Sequence, residues 1–130
     1  MIVLVDDNPA HRLLIKRAVR KALPGMEFKE CSSYLQGVSY LATTKGSPPE
    51  LFLVDLNLGD GRGTDLAREI KKRWPTENCV VLLLSTSDLA EDRKDAESAQ
   101  VTQYVLKHDD PSEFSEQMTQ LIREIYGLFR

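Results

Sequence analysis

The chain reads as a doubly wound α/β domain, a parallel sheet with helices on both faces. Three observations predict it. Short apolar runs alternate five times with amphipathic stretches. The strongest runs, Leu51-Phe52-Leu53-Val54 and Val80 to Leu84, are continuously apolar, as in strands buried on both faces. Finally, 130 residues hold five βα units of about 25 residues, whereas a closed eight-unit barrel needs roughly twice that length.

Ile2 to Val5 is the first strand, followed by Asp6-Asp7-Asn8-Pro9, where Asn8 suits a helix cap and Pro9 its first turn. Leu13, Leu14, Ala18 and Ala22 recur at helical spacing until Pro24-Gly25 ends the helix. Met26 to Cys31 is a weaker, alternating strand. Ser33 is the expected cap of a second helix through Leu35, Val38 and Leu41 towards Gly46. After the Ser47-Pro48-Pro49 loop, Leu51 to Val54 forms the third strand, ending at Asp55. Gly59, Gly61 and Gly63 punctuate the next loop, and a third helix runs from about Thr64 to Trp74 before Pro75. Val80 to Leu84 is the fourth strand, ending in Ser85-Thr86-Ser87. Asp88 with Glu91 makes a capping-box pattern for a fourth helix, which offers only Leu89, Ala90 and Ala96 to the core. Gln103 to Leu106 is the fifth strand. Asp110, Pro111 and Glu113 announce the last helix, with Phe114, Met118, Leu121, Ile122 and Ile125 on its buried face and Gly127 at its end. Ile125, Tyr126, Leu128 and Phe129 are expected to finish the core, with an interaction surface as the alternative.

This is the flavodoxin-like strand order 2-1-3-4-5, with a crevice between the first and third strands. The whole chain, 1–130, forms one domain. Its 42% hydrophobic and 28% charged residues are those of a globular protein. Seventeen basic against twenty acidic side chains give a net charge of −3, which argues against a dedicated nucleic-acid binder. Cys31 and Cys79 are too few for a disulfide framework or a spaced zinc set, and read as core thiols in a reducing compartment. No apolar run is long enough to span a bilayer, and no signal-peptide pattern opens the sequence. The expected address is the cytoplasm, with no membrane partner. His11 and His108 lack a second nitrogen or sulfur ligand at metal spacing and read as surface residues. The Gly59 to Gly63 run lacks the spacing of a dinucleotide loop.

Asp6, Asp7 and Asp55 fall just past the carboxyl ends of the first and third strands, which flank the crevice. Three carboxylates there repel one another unless something neutralises them. A hard divalent cation such as Mg2+ does so, taking one or two carboxylates, waters and phosphate oxygens. Ser85 and Lys107 follow the fourth and fifth strands, a hydroxyl and an ammonium suited to a phosphoryl group on a carboxylate. Asp55 leads an exposed, glycine-rich loop and is assigned as acceptor of an aspartyl-phosphate. Asp6 and Asp7 are assigned to the metal.

The arrangement resembles the receiver domain of two-component response regulators, along essentially the whole chain. The resemblance rests on Asp6-Asp7, on Asp55-Leu56-Asn57-Leu58 with Gly63, and on Ser85, Tyr104 and Lys107 at the family's spacing. It implies that a histidine kinase or phosphotransfer protein donates a phosphoryl group to Asp55 with Mg2+, and that the Asn57 backbone carbonyl also ligates the metal. It implies further that Ser85, Lys107 and Tyr104 form the phosphoryl-binding switch, that Asn57 and Ser87 tune hydrolysis, and that the module is not an enzyme. The face made by the fourth helix, fifth strand and fifth helix would meet a downstream protein or a second copy. The likeness is to stand-alone, chemotaxis-regulator-like receivers. Leu84-Ser85-Thr86-Ser87 with Asp92 gives a weaker likeness to phytochrome-associated single-domain regulators.

The sequence departs from the family where Gly59 replaces a usual proline, where Ser85 replaces the commoner threonine, and where Thr86 exceeds the usual small residue. His108 also replaces the proline after the lysine, where the family commonly has a cis peptide. That loop is expected either to keep the strain or to be rebuilt. Two rivals stand beside this reading. A pseudo-receiver interaction module would never be phosphorylated. A small aspartyl-nucleophile, metal-dependent phosphatase would usually carry an aspartate as general acid where Asn57 stands. The basic first helix, with Arg12, Lys16, Arg17, Arg20 and Lys21, reads as a solvated face or a kinase-docking surface.

Overall fold

In the computed structural model, which describes residues 1–75 and 79–127, five parallel strands form one sheet. They are β1 (Ile2–Val5), β2 (Phe28–Cys31), β3 (Leu51–Asp55), β4 (Val80–Ser85) and β5 (Gln103–Leu106). The helices between and after them are α1 (Pro9–Ala22), α2 (Tyr34–Thr43), α3 (Gly63–Arg73), α4 (Ala90–Ser98) and α5 (Pro111–Ile125). The strand order is β2-β1-β3-β4-β5, as the sequence predicts.

Successive strand residues point to opposite faces, and both faces are dry. Val3, Val5, Phe52, Val54 and Leu83 pack beneath α2, α3 and α4, against Leu41, Leu66, Ile70, Trp74 and Ala96. Ile2, Leu4, Leu51, Leu53 and Leu84 pack beneath α1 and α5, against Ile15, Val19, Phe114, Met118 and Ile122. Burial on both sides is why the central strands lack polar alternation. Each of these large side chains contributes about 1.5–3 kcal/mol when removed from water.

The helix ends follow local chemistry. The Asn8 side chain accepts from the Ala10 and His11 amides, Ser33 Oγ from Gln36 N, and Asp110 from Glu113 N. Several expectations are corrected. The buried stripe of α1 is Ile15, Ala18, Val19 and Ala22, leaving Leu13 exposed. β2 begins at Phe28 and α2 stops at Thr43. Asp88 does not cap α4. Its carboxylate is engaged by Arg93 at 2.6 Å, Leu89 occupies the cap position without a side-chain bond, and Leu89 and Ala90 are exposed. Cys31 is buried, whereas Cys79 is half-buried just before β4, its thiol donating to the Pro49 carbonyl. Ile125 and Tyr126 pack against the α1–α5 core; Leu128 and Phe129 lie outside the described residues.

Gly63 starts α3 where the helix meets the end of β3. A Cβ there would overlap the Asp55 carbonyl, and Gly63 N donates to Leu56 O at 2.7 Å. Gly25 differs: its φ is +83° and the space around it is open. Gly63→Ala is expected to destabilise by about 3 kcal/mol or more. Gly25→Ala is expected to cost only about 1–2 kcal/mol for the left-handed backbone. Urea unfolding followed by the fluorescence of buried Trp74 measures both. Equal costs would show that β3 and α3 can separate freely.

Candidate functional site

β1 and β3 are adjacent, so the residues at their carboxyl ends share one crevice. Asp6 is fully buried. Its Oδ1 accepts from Asn8 N at 2.9 Å, and its backbone carbonyl accepts from Arg12 Nη1 at 2.9 Å. Asp7 is exposed and Asp55 half-buried. One carboxylate oxygen from each of Asp6, Asp7 and Asp55 lies within 4.8 Å of the others. Lys107 is buried, with Nζ 3.3 Å from Asp6 Oδ2 and 3.2 Å from Asp55 Oδ1. The structure therefore brings together all three predicted acids and the predicted lysine.

Three carboxylates against one ammonium leave two uncompensated negative charges, the charge of one divalent cation. The strain falls on Asp55. Burial raises its carboxyl, Lys107 pulls it down and Asp6 raises it again, leaving it near 6 instead of 3.8. His11, read from sequence as a surface residue, is half-buried here. Its Nδ1 is 3.0 Å from Lys107 Nζ and 3.9 Å from Asp6 Oδ2. Burial first, then Lys107, lowers its pKa below the ordinary value, and Asp6 and Asp7 oppose this. His108 is exposed, as expected. Among the described residues no peptide bond is cis, so the Lys107 loop is rebuilt with a trans peptide.

The loop after Asp55 is fixed from three sides. Leu56 N donates to Leu84 O at 2.8 Å and Leu58 N to Gly61 O at 3.0 Å. Gly59 has φ +71°, a left-handed conformation closed to the proline of the family pattern. The Asp60 carboxylate accepts from Tyr34 N at 2.8 Å and Leu35 N at 3.1 Å, tying the loop to the start of α2. Those two bonds hold the Asp60 carboxyl below its ordinary range. Asn57 is exposed on this loop and bridges to Arg62.

Ser85 is buried at the end of β4, one residue beyond Leu84, the register partner of Asp55. Its Oγ accepts from Ser87 N at 2.9 Å, and its carbonyl accepts from Lys107 N at 2.8 Å. Thr86 is exposed. Tyr104, half-buried on β5, donates its hydroxyl to the Ser87 carbonyl, and Arg93 lies over its ring at 4.6 Å. α4 is tied down by charge. Arg62 Nη2 lies 3.1 Å from both Asp92 and Asp95, and Arg68 Nη2 lies 2.6 Å from Asp95. Ser87 Oγ donates to Asp92, and Thr64 Oγ1 to Asp95. Burial would raise the Asp95 carboxyl, but Thr64, Arg68 and Arg62 together hold it near 2.

Sequence reasoning missed His11, Arg12, Asp60 and the Arg62 cluster. The signal for His11 existed: it stands four residues before Ile15, one turn up the buried face of α1. The Asp60 and Arg62 contacts join residues 25 or more apart in sequence, and no local pattern reports them.

Fold and site define a class. The chain belongs to the response regulator receiver domain family, whose model matches residues 2–119. Among known proteins, the probable methanogenesis regulatory protein FilR2 of Methanothrix harundinacea is 30% identical over 110 residues, 82% of this chain and 71% of that protein. The phosphorylated cyanobacterial phytochrome response regulator RcpA is similar in structure, with a TM-score of 0.87 and 26% identity over 99% of this chain and 95% of that one. The Mn(2+)-bound response regulator Rcp1 shares the fold, with a TM-score of 0.83 and 22% identity over 94% and 91% of the two chains. The likeness to phytochrome-associated regulators thus appears in the structural relatives also. No helix among the described residues is long and apolar enough to cross a membrane.

The raised Asp55 carboxyl has a consequence for stability. The folded state holds this proton more tightly than the unfolded chain, so stability in EDTA falls as pH rises from about 4 to about 6 and stays lower above. The loss is up to about 3 kcal/mol. Asp55→Asn is expected to melt above wild type near pH 8 and close to it near pH 4, in EDTA at both. An Asn variant that melts lower at the higher pH would show that Asp55 is a net structural anchor.

Proposed function

We propose that this receiver is a phosphorylation-dependent switch in which Asp55 accepts a phosphoryl group from the phosphohistidine of a histidine kinase or phosphotransfer protein. The observation that carries the reading is the meeting of Asp6, Asp7 and Asp55 around one buried ammonium, short of neutrality by two charges. An Asp55 carboxylate oxygen attacks phosphorus. The P–N bond of the donor breaks, its electron pair stays on the imidazole, and an acyl phosphate appears on Asp55. Receiver domains typically bind Mg2+, which here would be held by Asp6, Asp7, Asp55 and the Asn57 carbonyl. When bound, the ion supplies the missing positive charge and draws off negative charge from the phosphoryl oxygens.

Lys107 and Ser85 are the residues that would hold those oxygens. Ser85 Oγ accepts from Ser87 N and keeps its own proton to donate. Lys107 reaches Asp55 over a trans peptide, which supports an acceptor role rather than a pseudo-receiver. Ser87 connects Ser85 to α4 through Asp92 and to β5 through Tyr104, so a shift at Ser85 is felt on both. The face of α4, β5 and α5 is then the surface a downstream protein or a second copy reads. Asn57, exposed beside Asp55, and Ser87 are the positions that would tune hydrolysis.

Incubation with acetyl phosphate and Mg2+, followed by intact mass, is expected to show one added phosphoryl group. EDTA and Asp55→Asn are each expected to abolish it, and amide exchange over 86–107 is expected to change on labelling. Normal labelling of the Asn variant, or without metal, would contradict the assignment.

A further inference from the structure

Lys107 is held by two side chains that lie outside the acceptor set. Gln117 on α5 turns its amide to the end of β5. Its Oε1 accepts from His108 N at 3.1 Å and its Nε2 donates to the Leu106 carbonyl at 2.7 Å. One side chain thus grips the peptide groups on either side of Lys107. At the far end of the lysine, His11 Nδ1 lies 3.0 Å from Nζ. An ammonium has three N–H donors and no lone pair, so the ring nitrogen accepts and the imidazole proton sits on Nε2. Asp6 Oδ2 accepts a second N–H of the ammonium at 3.3 Å, and Asp55 Oδ1 lies 3.2 Å away as its ion-pair partner. His11 is steadied in turn by buried Phe114, whose ring centroid is 5.4 Å away.

We propose that His11 and Gln117 are positioning residues for Lys107, fixing its ammonium against Asp55 before a phosphoryl group arrives. The inference rests on the phosphoacceptor reading above. Neither side chain touches the reacting atoms; both act through the lysine. A free lysine side chain loses much rotamer freedom when it is fixed. Fixing it in the resting protein removes that loss from the transfer step. The amide grip also does the work of holding a loop that lacks the family's proline at His108.

The test times phosphorylation by acetyl phosphate in Mg2+ for wild type, His11→Phe and Gln117→Met. The first variant keeps a ring against Phe114 without the acceptor; the second keeps length without the amide. Each is expected to slow labelling roughly tenfold, with the Mg2+ concentration for half-maximal rate unchanged. In unlabelled wild type, nitrogen-15 spectra are expected to show the His11 proton on Nε2. The His108 amide is expected to exchange faster in Gln117→Met than in wild type. Wild-type labelling rates in both variants, or a His11 proton on Nδ1, would overturn the proposal. Failure of wild type itself to label would overturn the phosphoacceptor reading instead. The histidine tautomer and the His108 exchange rate would then decide the clamp by themselves.

Discussion

The contact between the Lys107 ammonium and the Asp6 and Asp55 carboxylates is the interaction on which the rest of the site depends. It joins the ends of β1, β3 and β5 across the crevice, at 3.3 Å and 3.2 Å. Buried charge is costly unless it is paired and hydrogen-bonded. Asp6 meets that condition through Lys107 and Asn8 N, but Asp55 meets it only in part, which is why its carboxyl sits near 6. The fold holds this imbalance because two dry cores below the crevice fix the strand ends. A site kept short of neutrality is suited to a divalent cation and, in the proposed function, to an anionic phosphoryl group beside it.

α4 is tied to the neighbourhood of that site mainly by charge. Only Ala96 within it is buried, with Ala99 just beyond its end, so apolar packing holds it weakly. Its attachment is the Asp92 and Asp95 cluster, and Arg62 of that cluster belongs to the loop that follows Asp55. Ser87, on the loop after Ser85, donates to the same Asp92 and accepts from Tyr104. The loop after Asp55, the loop after Ser85 and β5 therefore converge on α4. Electrostatic ties weaken or strengthen with small displacements, whereas a packed apolar helix resists them.

Much of this was legible in the sequence, for a physical reason. Strands buried on both faces must be continuously apolar, so Leu51 to Val54 and Val80 to Leu84 declared a parallel sheet. A parallel sheet in turn brings its carboxyl ends together, so Asp6, Asp7, Asp55, Ser85 and Lys107 could be grouped without coordinates. Caps were less legible. Asn8, Ser33 and Asp110 act as their sequence suggests, but Asp88 is taken by Arg93 and leaves its capping box unmade. Histidine was the residue most easily misread, because an imidazole suits both a solvated face and a buried acceptor. His11 became interpretable only once Lys107, far along the chain, stood beside it. Gln117 was invisible for the same reason.

The central claim, a crevice two charges short of neutrality, is tested most directly by the melting temperature in Mg2+ and in EDTA, for wild type and Asp7→Asn. Binding to the folded state alone stabilises by about 2.7 kcal/mol at a hundredfold excess over the dissociation constant. The account predicts that Mg2+ raises the melting temperature of wild type. It also predicts that Asp7→Asn, relieved of one repelling charge, melts higher than wild type in EDTA and responds less to Mg2+. A wild type indifferent to Mg2+, or an Asn variant that melts lower in EDTA and still gains the full Mg2+ effect, would contradict it.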